Sequence, residues 1–318
     1  MNVFYDIYCR AYYRRWTFLQ IILGFLKVAA RKLSCFQTFF ENCYANYTYN
    51  RLVELDVDGV GNYLKISKIS NKKTKYEIKL TPLNTIGDKR IVHAIIEDIF
   101  HSYMYLNDDY SKSAWKKMDK YLGEGPYEYE DERHKVRLIP GDVVIDAGAW
   151  IGDFSAFAAY KGTVVYAFEP TINTYNLLCN TAKLNEGLSG KIIPVQAGLS
   201  DSYANVKFCN SKTNSGANRI AFDDASTENS ETVQLFTLDE FIEQNNIEKV
   251  DFIKADIEGN ERNLLQGARN TIRKFSPKIA ICTYHLPDDP LILESIIKEI
   301  NPNYVITHTK AKLFASIH

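Results

Sequence analysis

From residue 141 onward the chain switches repeatedly between two hydrophobic periods. Short apolar runs (VVID at 143–146, TVVYAFEP at 163–170, KIIPVQAG at 191–198, VDFIKADIEG at 250–259 and KIAICTYH at 278–285) are separated mostly by segments with helical spacing. This alternation predicts a doubly wound α/β domain, with a mainly parallel sheet and helices on both faces. Two further strand-like runs, NYVITH at 303–308 and KLFASIH at 312–318, are joined by only TKA. A link that short closes a hairpin but not a parallel crossover, so an antiparallel edge hairpin is expected there. Upstream, LKISKI and KYEIKL alternate as strands do, and Ile91, Val92, Ile95, Ile96, Ile99, Phe100 and Tyr103 repeat at helical spacing over about 88–105. The polar stretch GEGPYEYEDERHK at 123–135 breaks the pattern. The chain therefore reads as a helical arm over 1–50, a small α+β region over 51–118 and a main domain over 119–318.

Charge and cysteine content narrow the function classes. A net charge of −1 among 318 residues gives no global field for nucleic acid. The most apolar stretch, FLQIILGFLKVAA at 18–30, is interrupted by Gln20 and Lys27, too soon for a membrane span. The six cysteines show no paired CxxC spacing, as expected of reduced thiols in a cytoplasmic protein. The first fifty residues hold six bases (Arg10, Arg14, Arg15, Lys27, Arg31, Lys32) and two acids among many aromatics. Such an arm either packs on its own domain or a second subunit, or lies on an anionic membrane surface.

In doubly wound sheets ligands bind beyond the carboxyl ends of the strands, where strand order reverses. The five strands of the main domain are expected to end at Asp146, Glu169, Gly198 (with Asp201 shortly after), Asp256 and His285, placing four carboxylates and a histidine on one rim. The first turn, DVVIDAGAWIGDFS at 142–155, spaces Gly148 and Gly152 four apart around Trp150. A dinucleotide pyrophosphate wants G-x-G-x-x-G and is repelled by an acid at the turn's mouth. S-adenosylmethionine, a sulfonium and an ammonium with no phosphate, fits Asp146, while Gly148 still allows close backbone approach. Glu169, at the end of the second strand, stands where an acid takes the ribose hydroxyls.

Four stretches carry a family resemblance: GDVVIDAGAWIGDFS, VVYAFEPTINTYNLLCNTAKLN, LDEFIEQNNIEKVDFIKADIEGNERNLLQGA and PKIAICTYHLPDD. In order and spacing the last 200 residues resemble the FkbM family of class I methyltransferases. Trp150 departs from the small or polar residue that family commonly has. The resemblance implies a Rossmann-like fold, S-adenosylmethionine as cofactor, and O-methylation of a hydroxyl, often on a sugar of a glycan, glycolipid or natural product. The expected cofactor contacts are Asp146, Gly148, Ala149, Gly152, Glu169, Pro170, Gly198 and Asp201.

Methyl transfer to oxygen is an in-line displacement, in which a base that takes the hydroxyl proton accelerates the reaction by about 10²- to 10⁴-fold. Candidates at the ends of strands four and five are Lys254, Asp256, Glu258, Glu261 and His285. His285 titrates nearest neutrality and is either the base or a strand cap bonded to backbone. Asp256 is expected to orient it, take the proton itself, or bind a divalent metal with Glu258. Lys254, two residues from Asp256 on a strand, shares its face and is expected to pair with it or snorkel. An alternative is a methyltransferase-like module that has lost activity and serves assembly; the full set of charged residues favours the enzyme.

Overall fold

The computed structural model describes residues 127–209, 230–309 and 311–317, together with the backbone of strands at 55–60, 63–68, 76–80 and 219–220. The basic arm, the expected helix at 88–105 and the boundary near residue 119 lie outside the described residues. The chain divides into two compact units, residues 1–126 with 308–311, and residues 127–307 with 312–318. In the first, β1 (Leu55–Val60), β2 (Tyr63–Lys68) and β3 (Tyr76–Leu80) form an antiparallel sheet in that order. Leu64 and Ile66 of the LKISKI run stand opposite Leu80 and Ile78 of KYEIKL.

The second unit opens with a two-stranded ribbon, β4 (Tyr129–Glu130) and β5 (Lys135–Val136). Its main chain then runs β6 (Val143–Ala147), α1 (Asp153–Tyr160), β7 (Val164–Phe168), α2 (Ile172–Leu184), β8 (Lys191–Val195), β9 (Gly198–Leu199), β10 (Ala204–Cys209), β11 (Arg219–Ile220) and β12 (Ser230–Phe236). It continues through α3 (Leu238–Gln244), β13 (Phe252–Ala255), α4 (Glu261–Gly267), α5 (Arg269–Phe275), β14 (Lys278–Cys282), α6 (Asp289–Ile300), β15 (Val305–His308) and β16 (Lys312–Ser316). Seven strands form the central sheet in the order β15-β16-β14-β13-β6-β7-β8. The pairs β13–β14, β13–β6, β6–β7 and β7–β8 are parallel, and β16 runs antiparallel to β14. The expected edge hairpin is β15 and β16, adjacent in the sheet.

Burial explains the pattern. All of β13 is buried, as are four of five residues in β6 and in β14. Strands covered by helices on both faces read as continuous apolar runs rather than alternating ones. α6 buries Leu293, Ile296, Ile297 and Ile300, the spacing of one helical stripe. α3 starts with a capping box in which Thr237 accepts from the Glu240 N–H and the Glu240 side chain reaches back. Among the described residues no helix is long and apolar enough to cross a membrane.

Two features differ from the sequence expectation. The third strand stops at Val195, and Gly198–Leu199 instead starts a separate sheet of order β11-β10-β12-β9. That sheet fills part of the stretch between the third and fourth parallel strands. Its signal was present as period-two alternation: Val206 and Phe208 alternate with polar Asn205 and Lys207, and Val233 and Leu235 flank Gln234. Phe208, Val233 and Leu235 close a small core of their own.

Candidate active site

The chain leaves β6 outward to β7 and β8, then returns to the other side of β6 as β13. Strand order therefore reverses between β6 and β13, which opens a crevice at their carboxyl ends. Gly148 and Asp256 meet at its floor. Gly148 has φ +75°, and a Cβ there would lie 2.0 Å from the Asp256 carbonyl oxygen. Gly152 has φ +86°, and a Cβ there would meet Leu178 of α2 at 2.7 Å. The glycine spacing thus has a packing cause: one glycine lets two strand tips touch, the other seats α1 against α2. The Gly148 and Ala149 N–H groups both donate to the Phe168 carbonyl, fixing the turn to the end of β7. Trp150 between them is left-handed at φ +49°, a conformation unusual for a bulky residue and a mark of local strain.

Asp146 lies behind this turn, not at its mouth. It is fully buried; its Oδ2 accepts from Ser155 Oγ at 2.5 Å, and its Oδ1 lies 3.0 Å from Lys254 Nζ. Lys254 pairs with Asp146 rather than with Asp256, because in the parallel register of β13 and β6 the two residues stand side by side. The ammonium also donates to the Gly148 carbonyl at 2.6 Å and lies over the Tyr127 ring at 5.1 Å. Burial alone would lower the Lys254 pKa, but the charges of Asp146, Asp256 and Asp153 outweigh it and raise the pKa above the ordinary lysine value. Lys254 therefore stays charged and holds the glycine turn by its carbonyls.

A cleft opens in front of the turn, lined on one side by Trp150, Glu169 and Pro170, on the other by Asp256, Glu258 and Asn260, with Gly148 and Gly198 between. Glu169 is 7% exposed and accepts from the Thr171 N–H at 3.0 Å and Oγ1 at 2.5 Å. Burial pushes its carboxyl up to about 7, against the hydrogen bonds from Thr171 and the Trp150 N–H. Asp201 is exposed, bonded by the Ser202 hydroxyl, and does not line the cleft, because the chain turns into the second sheet before reaching it. Ala149 and Gly152 likewise sit behind the lining.

The far wall is a polar cluster built by the ends of β13 and β14. Asp256 accepts from Tyr127 Oη at 2.7 Å on Oδ2 and from Tyr284 Oη at 2.9 Å on Oδ1. Burial would raise its pKa, but the charges of His285, Lys254 and Lys312 and the Tyr127 hydrogen bond hold it at about 2. Glu258 is left-handed at φ +56°, in the turn that leads into α4. Glu261, at the start of α4, is fully buried, and its Oε1 accepts from the Ile257 N–H at 2.9 Å. His285 sits among these acids: Nδ1 is 2.9 Å from Glu261 Oε1, and Nε2 is 3.5 Å from Asp256 Oδ1 and 3.6 Å from Glu258 Oε2. The Nδ1 contact with Glu261 is the close one, whereas Nε2 has no hydrogen-bond partner among the described residues. Burial would lower the imidazole pKa, but the contact with Glu261 and the charges of Asp256 and Glu258 raise it to about 9. The expectation that His285 titrates near neutrality thus gives way to an imidazolium balancing three carboxylates, which is no base until it loses that proton.

The sequence reading set Asp256, Glu258, Glu261 and His285 on one rim, and the structure brings these four side chains together; it missed Tyr127 and Tyr284. Glu261 was legible as the last acid of D-I-E-G-x-E, placed one turn on by the helix start. Tyr127 arrives from the ribbon before β6, and nothing local in the sequence points it at residue 256.

The family model described as "Methyltransferase FkbM domain" matches residues 146–301. The chain is 29% identical over 167 residues to the hexuronic acid methyltransferase AglP of Haloferax volcanii, an alignment spanning 52% of this chain and 65% of that protein. The chain therefore spans a little under two thirds of that relative. Similar solved structures include a methyltransferase FkbM from Methylobacillus flagellatus (TM-score 0.46, 23% identity, 71% of this chain and 54% of that one). Another is the fibrillarin of Aeropyrum pernix with bound S-adenosylmethionine (TM-score 0.37, 11% identity, 82% and 99%).

Proposed function

Because residues 146–301 belong to the FkbM methyltransferase family, we propose that this chain transfers the methyl group of S-adenosylmethionine to a hydroxyl of a sugar. One observation carries the cofactor reading. Among the described residues, the cleft at the strand-order switch is lined by three carboxylates, Glu169, Asp256 and Glu258, and by no lysine or arginine. Such a surface suits a ligand with a sulfonium and an ammonium and opposes a pyrophosphate. Glu169, at the end of β7, takes the ribose hydroxyls, while the sulfonium and methionine end lie toward Gly148 and Asp256.

The reaction is one displacement. The acceptor oxygen attacks the methyl carbon in line, the carbon–sulfur bond breaks with its electron pair going to sulfur, S-adenosylhomocysteine leaves, and the hydroxyl proton passes to water. The residues hold the oxygen within about 3 to 3.5 Å of the methyl. Asp256, fixed by two tyrosine hydroxyls and ionised well below neutrality, accepts a hydrogen bond from the acceptor hydroxyl and aims its lone pair. So acidic a carboxylate orients better than it takes protons.

The test is transfer from labelled S-adenosylmethionine to sugars and to fractionated glycans and glycolipids, followed by mild alkali. A methyl ether survives alkali and supports the reading. Absence of cofactor binding by calorimetry together with absence of transfer overturns it. A second reading, a sugar carboxylate as acceptor, is favoured by the AglP name. It predicts a methyl ester, which alkali releases.

A further inference from the structure

We propose that Asp256, Glu261 and His285 form a divalent-cation site at the base of the cleft, selective for Mn²⁺ or Zn²⁺ over Mg²⁺. One ligand atom from each residue lies within 4.8 Å of the others. Ligands at about 2.1 Å from a shared ion stand at most roughly 4.2 Å apart, so small side-chain rotations bring the set into range. The second observation is independent of that spacing. Glu261 Oε2 and His285 Nε2 are buried without a hydrogen-bond partner among the described residues, while His285 Nδ1 faces Glu261 Oε1 at 2.9 Å; Glu261 is fully buried and the His285 side chain is 8% exposed. Buried polar atoms are nearly always satisfied, and an ion is one way to satisfy them.

The rest of the cluster is arranged as the surroundings of such a site would be. The Ile257 N–H fixes Glu261 Oε1, and two tyrosine hydroxyls fix Asp256. Outer hydrogen bonds of this kind orient ligating carboxylates. Glu258 Oε2, 3.6 Å from His285 Nε2, borders the site and adds a fourth negative or polar donor. A bound ion takes the place of one imidazolium proton, leaving an imidazole nitrogen with two carboxylates as a mixed donor set; imidazole suits zinc, and carboxylates suit manganese, whereas magnesium prefers oxygen alone. Asp256 and Glu258 also line the cleft, so an ion here faces the bound acceptor. That location would let it polarise the acceptor oxygen, a role that rests on the methyl-transfer reading, whereas the ion site itself does not.

The experiment uses the full chain, stripped with a chelator and titrated calorimetrically with MnCl₂, ZnCl₂ and MgCl₂ in the absence of cofactor. One Mn²⁺ or Zn²⁺ per chain is expected, weakened more than about 100-fold in both His285→Ala and Glu261→Gln. Circular dichroism and melting confirm that the variants fold. Should either fail to fold, pulsed electron paramagnetic resonance on the Mn²⁺-loaded wild type decides the matter: an imidazole nitrogen coupling is expected. Absence of Mn²⁺ and Zn²⁺ binding, unchanged affinity in folded variants, or no nitrogen coupling overturns the site. Calorimetry with S-adenosylmethionine is run separately. Cofactor binding without metal binding refutes the ion alone, and metal binding without cofactor binding refutes the methyl-transfer reading alone.

Discussion

Replacing Lys254 with methionine tests whether its buried pairing with Asp146 organises the site. The variant keeps length and packing but leaves Asp146 fully buried with one remaining hydrogen bond, from Ser155. Removing one member of a buried ion pair costs about 3 to 5 kcal/mol, because the other charge stays desolvated and unmatched. The Gly148 carbonyl, which accepts from Lys254 at 2.6 Å, loses its partner as well. With a urea slope of about 3 kcal/mol/M, the unfolding midpoint falls by roughly 1 to 1.7 M. Asp146→Asn alone is costly for the mirror-image reason, since Lys254 is then 3% exposed with no adjacent ion partner on β6. The double variant removes both charges, so its cost is less than the sum of the singles by at least about 1 kcal/mol. Urea melts of the four proteins followed by circular dichroism make the measurement. Single variants that each cost under about 1 kcal/mol, or strict additivity, would refute the idea that these two groups hold the turn as a unit.

Other expectations follow from the same geometry. Glu169 titrates at about 7 in the folded chain against an ordinary 4.5; it is protonated in the native state where the unfolded chain is ionised, so its contribution is full below pH 4.5 and about 3 kcal/mol is lost as pH rises to 7. Glu169→Gln flattens that part of the stability profile, measured by urea melts from pH 5 to 8. If the ionised form holds the ribose, affinity for S-adenosylmethionine rises about tenfold between pH 6 and 8, read by calorimetry. Gly148→Ala combines a left-handed alanine with a Cβ 2.0 Å from the Asp256 carbonyl, so a loss of at least about 2 kcal/mol is expected in thermal melts, with weakened cofactor binding. Gly267→Ala sets two effects in opposition. Helix propensity alone favours alanine by about 1 kcal/mol, but its Cβ would meet the Ser200 carbonyl at 2.0 Å, so the melting temperature falls.

What the sequence disclosed follows the range of its signals. The parallel strands, the edge hairpin and the rim carrying Glu169, Asp256 and His285 were legible because each is written within a few consecutive residues. Partnerships across the sheet were not. The sequence leaves Lys254 to pair with Asp256, two residues along the strand, or to snorkel, whereas the pairing of β13 with β6 delivers it to Asp146. Tyr127 reaches Asp256 from 129 residues away. Asp201 was placed on the rim by a strand assumed to run to Gly198, when the chain had already turned off into a second sheet. His285 was assigned its ordinary titration range because three carboxylates from two separate elements are needed to move it.

The contact between Gly148 and the Asp256 carbonyl also bears on how the site comes into being. The two residues are 108 positions apart, and the elements between them include two parallel strands, three helices and the whole second sheet. Loop closure over such a span is slow, since its entropy is lost before the contact returns anything. The crevice therefore does not exist in a partly assembled domain; it forms only when β13 docks beside β6, which joins the two halves of the sheet. A ligand that recognises the crevice consequently binds the finished domain alone and raises the cost of its global opening by RT ln(1 + [L]/Kd). Hydrogen exchange in β8 or β14, far from any bound ligand, should slow in step with exchange at the turn itself.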